Sequence, residues 1–240
     1  MQALANPTRF LAIQSTVQPW LWAATVLLFA VGLYLGLVEA PADYQQGETV
    51  RIMFIHVPAA WLALSVYTLM ALASVIAIVF RHPLADVAAK SAAPIGATFT
   101  LLALATGSIW GKPTWGTWWV WDARLASMFV LFLLYLGYIA VWQAIDEWGR
   151  AARVARIVAI VGFLNVPIIK FSVDWWNTLH QPASVLRLDG PAIHVSILVP
   201  LLVMALANMV LFLALHLLAI RTEVMARRIR QMQLAAAGKA

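Results

Sequence analysis

Trp115-Gly-Thr-Trp-Trp-Val-Trp-Asp-Ala-Arg-Leu-Ala-Ser-Met-Phe-Val-Leu-Phe-Leu-Leu-Tyr-Leu-Gly-Tyr-Ile-Ala-Val-Trp-Gln-Ala-Ile145 joins a tryptophan-rich segment to an apolar run that carries no Asp, Glu, Lys or Arg from Leu125 onward. A helix needs about 20 such residues to cross the hydrocarbon core of a bilayer. The run Leu125 to Ile145 therefore reads as a transmembrane helix with Trp115, Trp118, Trp119 and Trp121 at its entrance. One interfacial tryptophan is an ordinary membrane anchor, because its amphipathic ring suits headgroup depth. Four within seven residues imply a platform that grips something flat.

The same reading extends outward in both directions. The 240 residues are 63% hydrophobic and 11% charged, with a mean hydropathy of +0.86. A soluble domain is about half apolar or less, so the chain is expected to be an all-α, polytopic integral membrane protein. Six stretches qualify as spans: about 20–38, 52–80, 91–109, 125–145, 157–173 and 193–220. They leave little room for a soluble domain, and no linker, low-complexity tract or internal repeat divides them. A single membrane domain over 1–240 is expected, with a tryptophan-rich outer loop at 110–124. Glu39-Ala-Pro-Ala42 faintly resembles a signal cleavage site. The preceding apolar run is longer than the roughly 7 to 15 residues of a signal core, so the first span is expected to be retained.

Basic residues give the orientation. Arg9, Arg81, Lys90, Arg150, Arg153, Arg156, Arg221, Arg227, Arg228, Arg230 and Lys239 share one side; Arg51, Lys112, Arg124, Lys170 and Arg187 fall on or near the other. Both termini should be cytoplasmic. The net charge of +6 then faces the anionic headgroups of the lipid bilayer and gives no reason to invoke nucleic acid. The chain has no cysteine, which excludes disulfides, thiolate ligands and covalent haem attachment through its own Cys-x-x-Cys-His.

Of the five histidines, His82 and His216 map to the inner side and are expected to be structural. His56, His180 and His194 map to the outer boundary, beside the tryptophans. Neutral imidazole is a good axial ligand for haem iron, and the porphyrin offers an apolar plane that tryptophan rings can hold. Haem propionates require cations, for which Arg51, Lys112, Arg124 and Arg187 are candidates. Two axial imidazoles leave iron no open position, which favours holding or handing on haem over oxygen chemistry. A transfer role therefore fits better than enzymatic turnover, and no catalytic residue is assigned. Topology leaves open which two of the three histidines act.

Several residues have structural readings too. Asp122 near the first turn of span four favours that helix's N-terminus, and Arg124 can pair with it. Asn165, Pro167 and Lys170 interrupt span five, where a proline kink with a snorkelling lysine competes with a lateral ligand entrance. Two rival functions compete with haem presentation. A transmembrane b-type cytochrome would place its histidines within the spans. A permease would bind no stoichiometric haem.

The run Trp115 to Leu125 resembles the tryptophan-rich WWD signature of the haem-handling proteins of bacterial cytochrome c maturation, and specifically the maturation protein C (haem exporter protein C) family. Phe54-Ile-His-Val-Pro-Ala-Ala60 and Phe171-Ser-Val-Asp-Trp-Trp-Asn-Thr-Leu-His-Gln181 are similar to that family's two histidine regions. The six-span layout and the length also fit. Ala126 stands where the family often has Thr. The resemblance implies that His56 and His180 are the axial ligands of a non-covalent haem b. It also implies that Trp115, Trp118, Trp119, Trp121 and Asp122 form its outer platform, with Arg124 in the same segment. It further implies a site on the periplasmic face of the bacterial inner membrane. The implied partners are a periplasmic haem chaperone, ATP-binding-cassette transporter subunits and a small single-span membrane subunit.

Overall fold

The computed structural model describes residues 6–185 and 187–237, so Lys239 of the basic tail lies outside the described residues. The described residues form helices and connecting segments without strands. They are α1 (Pro7–Tyr34), α2 (Met53–Val79), α3 (Ala85–Trp115), α4 (Ala123–Ala144), α5 (Trp148–Gly162), α6 (Asn165–Trp175) and α7 (Val195–Ala237). A π turn over Leu35–Glu39 prolongs α1, and a 3₁₀ turn over Glu48–Ile52 leads into α2. Six helical segments are long and apolar enough to cross a membrane, with α5 and α6 together making the fifth. All-helical architecture follows from the solvent, because lipid offers backbone groups no hydrogen bonds and each span must satisfy its own.

Hydropathy marks only the lipid-embedded part of a helix, so the helices overrun the expected spans. Span one was expected from residue 20, yet α1 starts at Pro7, where the Asn6 side chain accepts a bond from the Thr8 amide at 2.9 Å. Proline suits that first helical position because its missing N–H is unneeded there. α7 runs for 43 residues, about 64 Å at 1.5 Å per residue, and so continues well past the expected end at 220. The expected outer loop at 110–124 also shrinks. α3 continues to Trp115 and ends at Gly116, whose φ of 78° places it in the left-handed region. Glycine adopts that conformation without the Cβ clash that other residues meet.

Span five departs most from the expectation of one helix over 157–173. It breaks at Phe163 and Leu164 into α5 and α6. Pro167 explains the position, because a proline ring collides with the carbonyl four residues earlier, here that of Phe163. The Asn165 amide donates to the Ser127 carbonyl of α4 at 2.8 Å, fixing the break against its neighbour.

The largest buried cluster lies among α2, α3, α4 and α5, where Ala59, Ala63, Ala92, Ala93 and Ala159 are fully or almost fully buried. Small residues let helix backbones approach closely, which is the main source of packing energy where lipid is as apolar as the core. Tyr135 fills the space between α4 and α2 and donates to the Ala63 carbonyl at 2.7 Å. α1 packs along α7 and buries Gly32 against Met204. Arg228 donates to Thr8 Oγ1 at 2.9 Å, which puts the start of α1 and the C-terminal part of α7 on one face. That face is tied together by ionic contacts. Arg156 forks onto Asp86 at 2.8 and 2.6 Å, Lys90 meets Glu223 at 2.9 Å, and the Arg227 guanidinium lies 3.3 Å from the Trp148 ring centroid. The tryptophan segment, the His180 loop and the entrance of α2 gather at the opposite face.

Candidate functional site

His56 occupies the first turn of α2 and reaches across to α3. Its Nδ1 lies 3.0 Å from the Ala103 carbonyl and 3.1 Å from Thr106 Oγ1. A carbonyl only accepts, so Nδ1 carries the proton and Nε2 keeps its lone pair. Metal-binding histidines are commonly oriented in this way, by a carbonyl or carboxylate on the far nitrogen. Gly107 makes the approach possible, since a Cβ there would lie 3.0 Å from His56 Cε1. The Trp110 ring meets the imidazole edge-on at 5.6 Å between centroids and is itself held by Nε1 donating to Gln46 Oε1 at 2.9 Å.

His180 arrives from the loop after α6. Its amide donates to Thr178 Oγ1 at 3.2 Å, and its ring packs edge-on against Trp115 at 4.8 Å. Nδ1 is buried without a hydrogen-bond partner among the described residues, and the nearest carboxylate oxygen, Asp122 Oδ2, is 3.8 Å away. Burial lowers the His180 pKa to about 4, Arg124 and His56 push in the same direction, and Asp122 opposes them. The ring is therefore neutral at pH 7, the state in which imidazole ligates a metal.

Asp122 is the N-cap of α4, accepting from the Leu125 amide at 2.8 Å through Oδ1. Asp is among the preferred residues there, because its side chain satisfies an otherwise unpaired helix N–H. Its second oxygen accepts from the Leu179 amide at 3.2 Å. The capping role expected from the sequence is thus present, together with a tie to the His180 loop. Arg124 turns toward α6 rather than toward Asp122. It donates through Nε to Ser172 Oγ at 3.1 Å and through NH2 to the carbonyls of Ile169 and Lys170 at 3.2 and 3.4 Å. It braces the helix that leads into His180.

The four tryptophans of the signature do not share a plane. Trp115 packs on His180, whereas Trp119 and Trp121 meet edge to face at 5.3 Å and both abut Phe129. Trp118 and Trp121 are exposed, while Trp119 Nε1 is buried without a partner among the described residues. The segment offers ring edges and faces at several angles, not one flat surface. The other expected propionate partners are engaged locally: Arg51 with Glu48 and the Gly36 carbonyl, Arg187 with Asp189, and Lys112 with the Gly116 carbonyl. Of these, Lys112 makes a single exposed contact.

His194 is separated from the pair by its bonding. Its Nδ1 accepts from the Ser196 amide at 3.3 Å and contacts Ser196 Oγ at 2.9 Å, at the start of α7. With Nδ1 accepting, the neutral ring has its proton on Nε2 and no free lone pair. His216 stacks on Phe212 and donates from Nε2 to the Ala88 carbonyl at 2.9 Å, and His82 accepts from the Leu84 amide, contacts of the kind a structural role uses. Sequence reasoning missed Trp110, Thr106 and Gly107. A glycine inside an apolar helix pattern, followed by tryptophan three residues on, was the available signal for close approach.

Fold and site together define a polytopic, all-helical membrane protein with two ligand-competent imidazoles and a tryptophan cluster at one boundary. The family model described as Heme exporter protein C matches residues 1–235. The chain is 61% identical to Heme exporter protein C of Bradyrhizobium diazoefficiens over 236 residues, covering 98% of this chain and 89% of the relative. It is 45% identical to the protein of that name in Haemophilus influenzae over 92% of this chain and 90% of the relative. Against the one in Escherichia coli K12 the identity is 43%, over 75% and 74% respectively. The chain belongs to the heme exporter protein C family.

Proposed function

We propose that this protein holds haem b non-covalently at the periplasmic face of the bacterial inner membrane, with His56 and His180 as axial ligands, and presents it for cytochrome c maturation. The observation that carries this reading is the pair of oriented imidazoles at one membrane boundary. His56 is locked by Ala103 into the tautomer with Nε2 free, and His180 is buried beside Trp115. Iron supplies the coordination bonds when haem is bound. The chain supplies orientation: α2 and α3 fix one ring, Asp122 and Thr178 fix the loop that bears the other, and the tryptophan rings shield the apolar porphyrin from water.

Exposed Trp118 and Trp121 leave part of the platform accessible from outside. This suits presentation of a porphyrin edge to a periplasmic haem chaperone. ATP-binding-cassette subunits and a small single-span subunit complete the proposed assembly, with the ATP-hydrolysing partner driving release. Basic residues on the face bearing both termini support a cytoplasmic location for those ends. The protein acts as a haem-transfer component without a catalytic residue of its own. The test is the optical spectrum and haem content of intact protein beside His56→Ala, His180→Ala and His194→Ala. Loss of the six-coordinate spectrum in the first two, with the third unchanged, is expected. An unchanged bis-histidine spectrum in protein lacking both His56 and His180 refutes the reading.

A further inference from the structure

The two imidazoles have different surroundings. His56 Nδ1 faces neutral acceptors, the Ala103 carbonyl and Thr106 hydroxyl. The carboxylate oxygen nearest to His180 Nδ1 is Asp122 Oδ2, at 3.8 Å. That carboxylate cannot swing freely. Oδ1 is fixed by the Leu125 amide at the start of α4, Oδ2 is fixed by the Leu179 amide, and the side chain is only 10% exposed. The helix cap therefore aims Oδ2 at the one imidazole nitrogen in the pair that is buried without a hydrogen-bond partner among the described residues. A modest turn of the ring brings Nδ1 into hydrogen-bond range, between 2.7 and about 3.2 Å.

The geometry points to Asp122 as the positioning and electronic partner of His180, biasing haem held at this site toward the ferric state. This rests on the reading of His180 as a ligand. A carboxylate accepting from the far N–H of a ligating histidine fixes the ring and raises its basicity. The added negative charge stabilises Fe(III), whose haem carries one more positive charge than Fe(II). The two ligands are then unequal: His180 is the stronger donor and sits on a loop, and His56 is the more neutral one and sits on a helix. Asp122 thereby links the tryptophan signature to the iron without touching it.

Asp122→Asn separates this role from helix capping, because Asn is as good an N-cap as Asp. Asp122→Ser also keeps the cap while removing the second oxygen. The experiment is redox titration of haem-loaded full-length protein and both variants, with separate ferric and ferrous haem titrations. Ferric haem affinity is expected to fall about tenfold, the lower end of what loss of such a partner costs, with ferrous affinity changed less. A tenfold difference between the two states raises the one-electron potential by about 59 mV. Variants that keep a bis-histidine spectrum and an unshifted potential overturn the inference while leaving His180 as ligand. If His180→Ala retains the parent spectrum, the ligand reading falls and this inference with it.

Discussion

Gly107→Ala sets helix stability against the haem binding proposed at His56. The new Cβ would lie 3.0 Å from His56 Cε1 and 3.4 Å from Nδ1, so the ring must retreat by a few tenths of an ångström. That movement acts on the 3.0 Å contact from Nδ1 to the Ala103 carbonyl, which sets the tautomer and the direction of Nε2. Loss of a hydrogen bond of this kind costs about 0.5 to 1.5 kcal/mol. If that preorganisation is lost, haem affinity falls by roughly 2- to 10-fold, since 1.4 kcal/mol is a factor of ten. The helix itself gains, because Ala is better than Gly in a helix interior by up to about 1 kcal/mol. Haem titration followed at the Soret band should therefore show weaker binding in a variant whose thermal unfolding in detergent is no earlier than the parent's. Undiminished affinity with an identical spectrum would refute the role given to the His56 tether.

Two other substitutions test the supports around the site. Arg124→Lys keeps the charge but not the planar fork that reaches Ser172, Ile169 and Lys170 together, and an ammonium cannot reproduce those bonds. Hydrogen exchange across residues 176–185 should accelerate, and protection equal to the parent's would show that Arg124 does not brace this loop. Tyr135→Phe removes the bond to the Ala63 carbonyl. Interhelical hydrogen bonds in membranes contribute about 0.6 kcal/mol on average and at most about 1.7, so denaturant unfolding in micelles should show a loss in that range with haem binding preserved.

The sequence by itself determined the helical membrane architecture, because runs of about 20 apolar residues have one stable solution in lipid. Asp122 was legible as a helix cap for the same kind of local reason: a short polar side chain just before an apolar helical run. Pro167 announced an interruption of span five, although its consequence, a break at Phe163 and Leu164 with Asn165 bonded across to α4, required the neighbouring helix to be in place. Three histidines at the outer boundary remained equivalent to any reading of topology. The family resemblance singled out His56 and His180, and the tertiary structure gave all three their different surroundings by directing His56 onto a carbonyl of α3, burying His180 against Trp115 and tying His194 to the start of α7. The same holds for Arg124, whose sequence neighbour Asp122 promised an ion pair and whose actual partners lie 45 to 48 positions away. Spacing along a chain specifies which face of a helix a residue occupies. Which carbonyl, ring or carboxylate it then meets depends on how the helices pack, and that determines the tautomers, tethers and charges of the site.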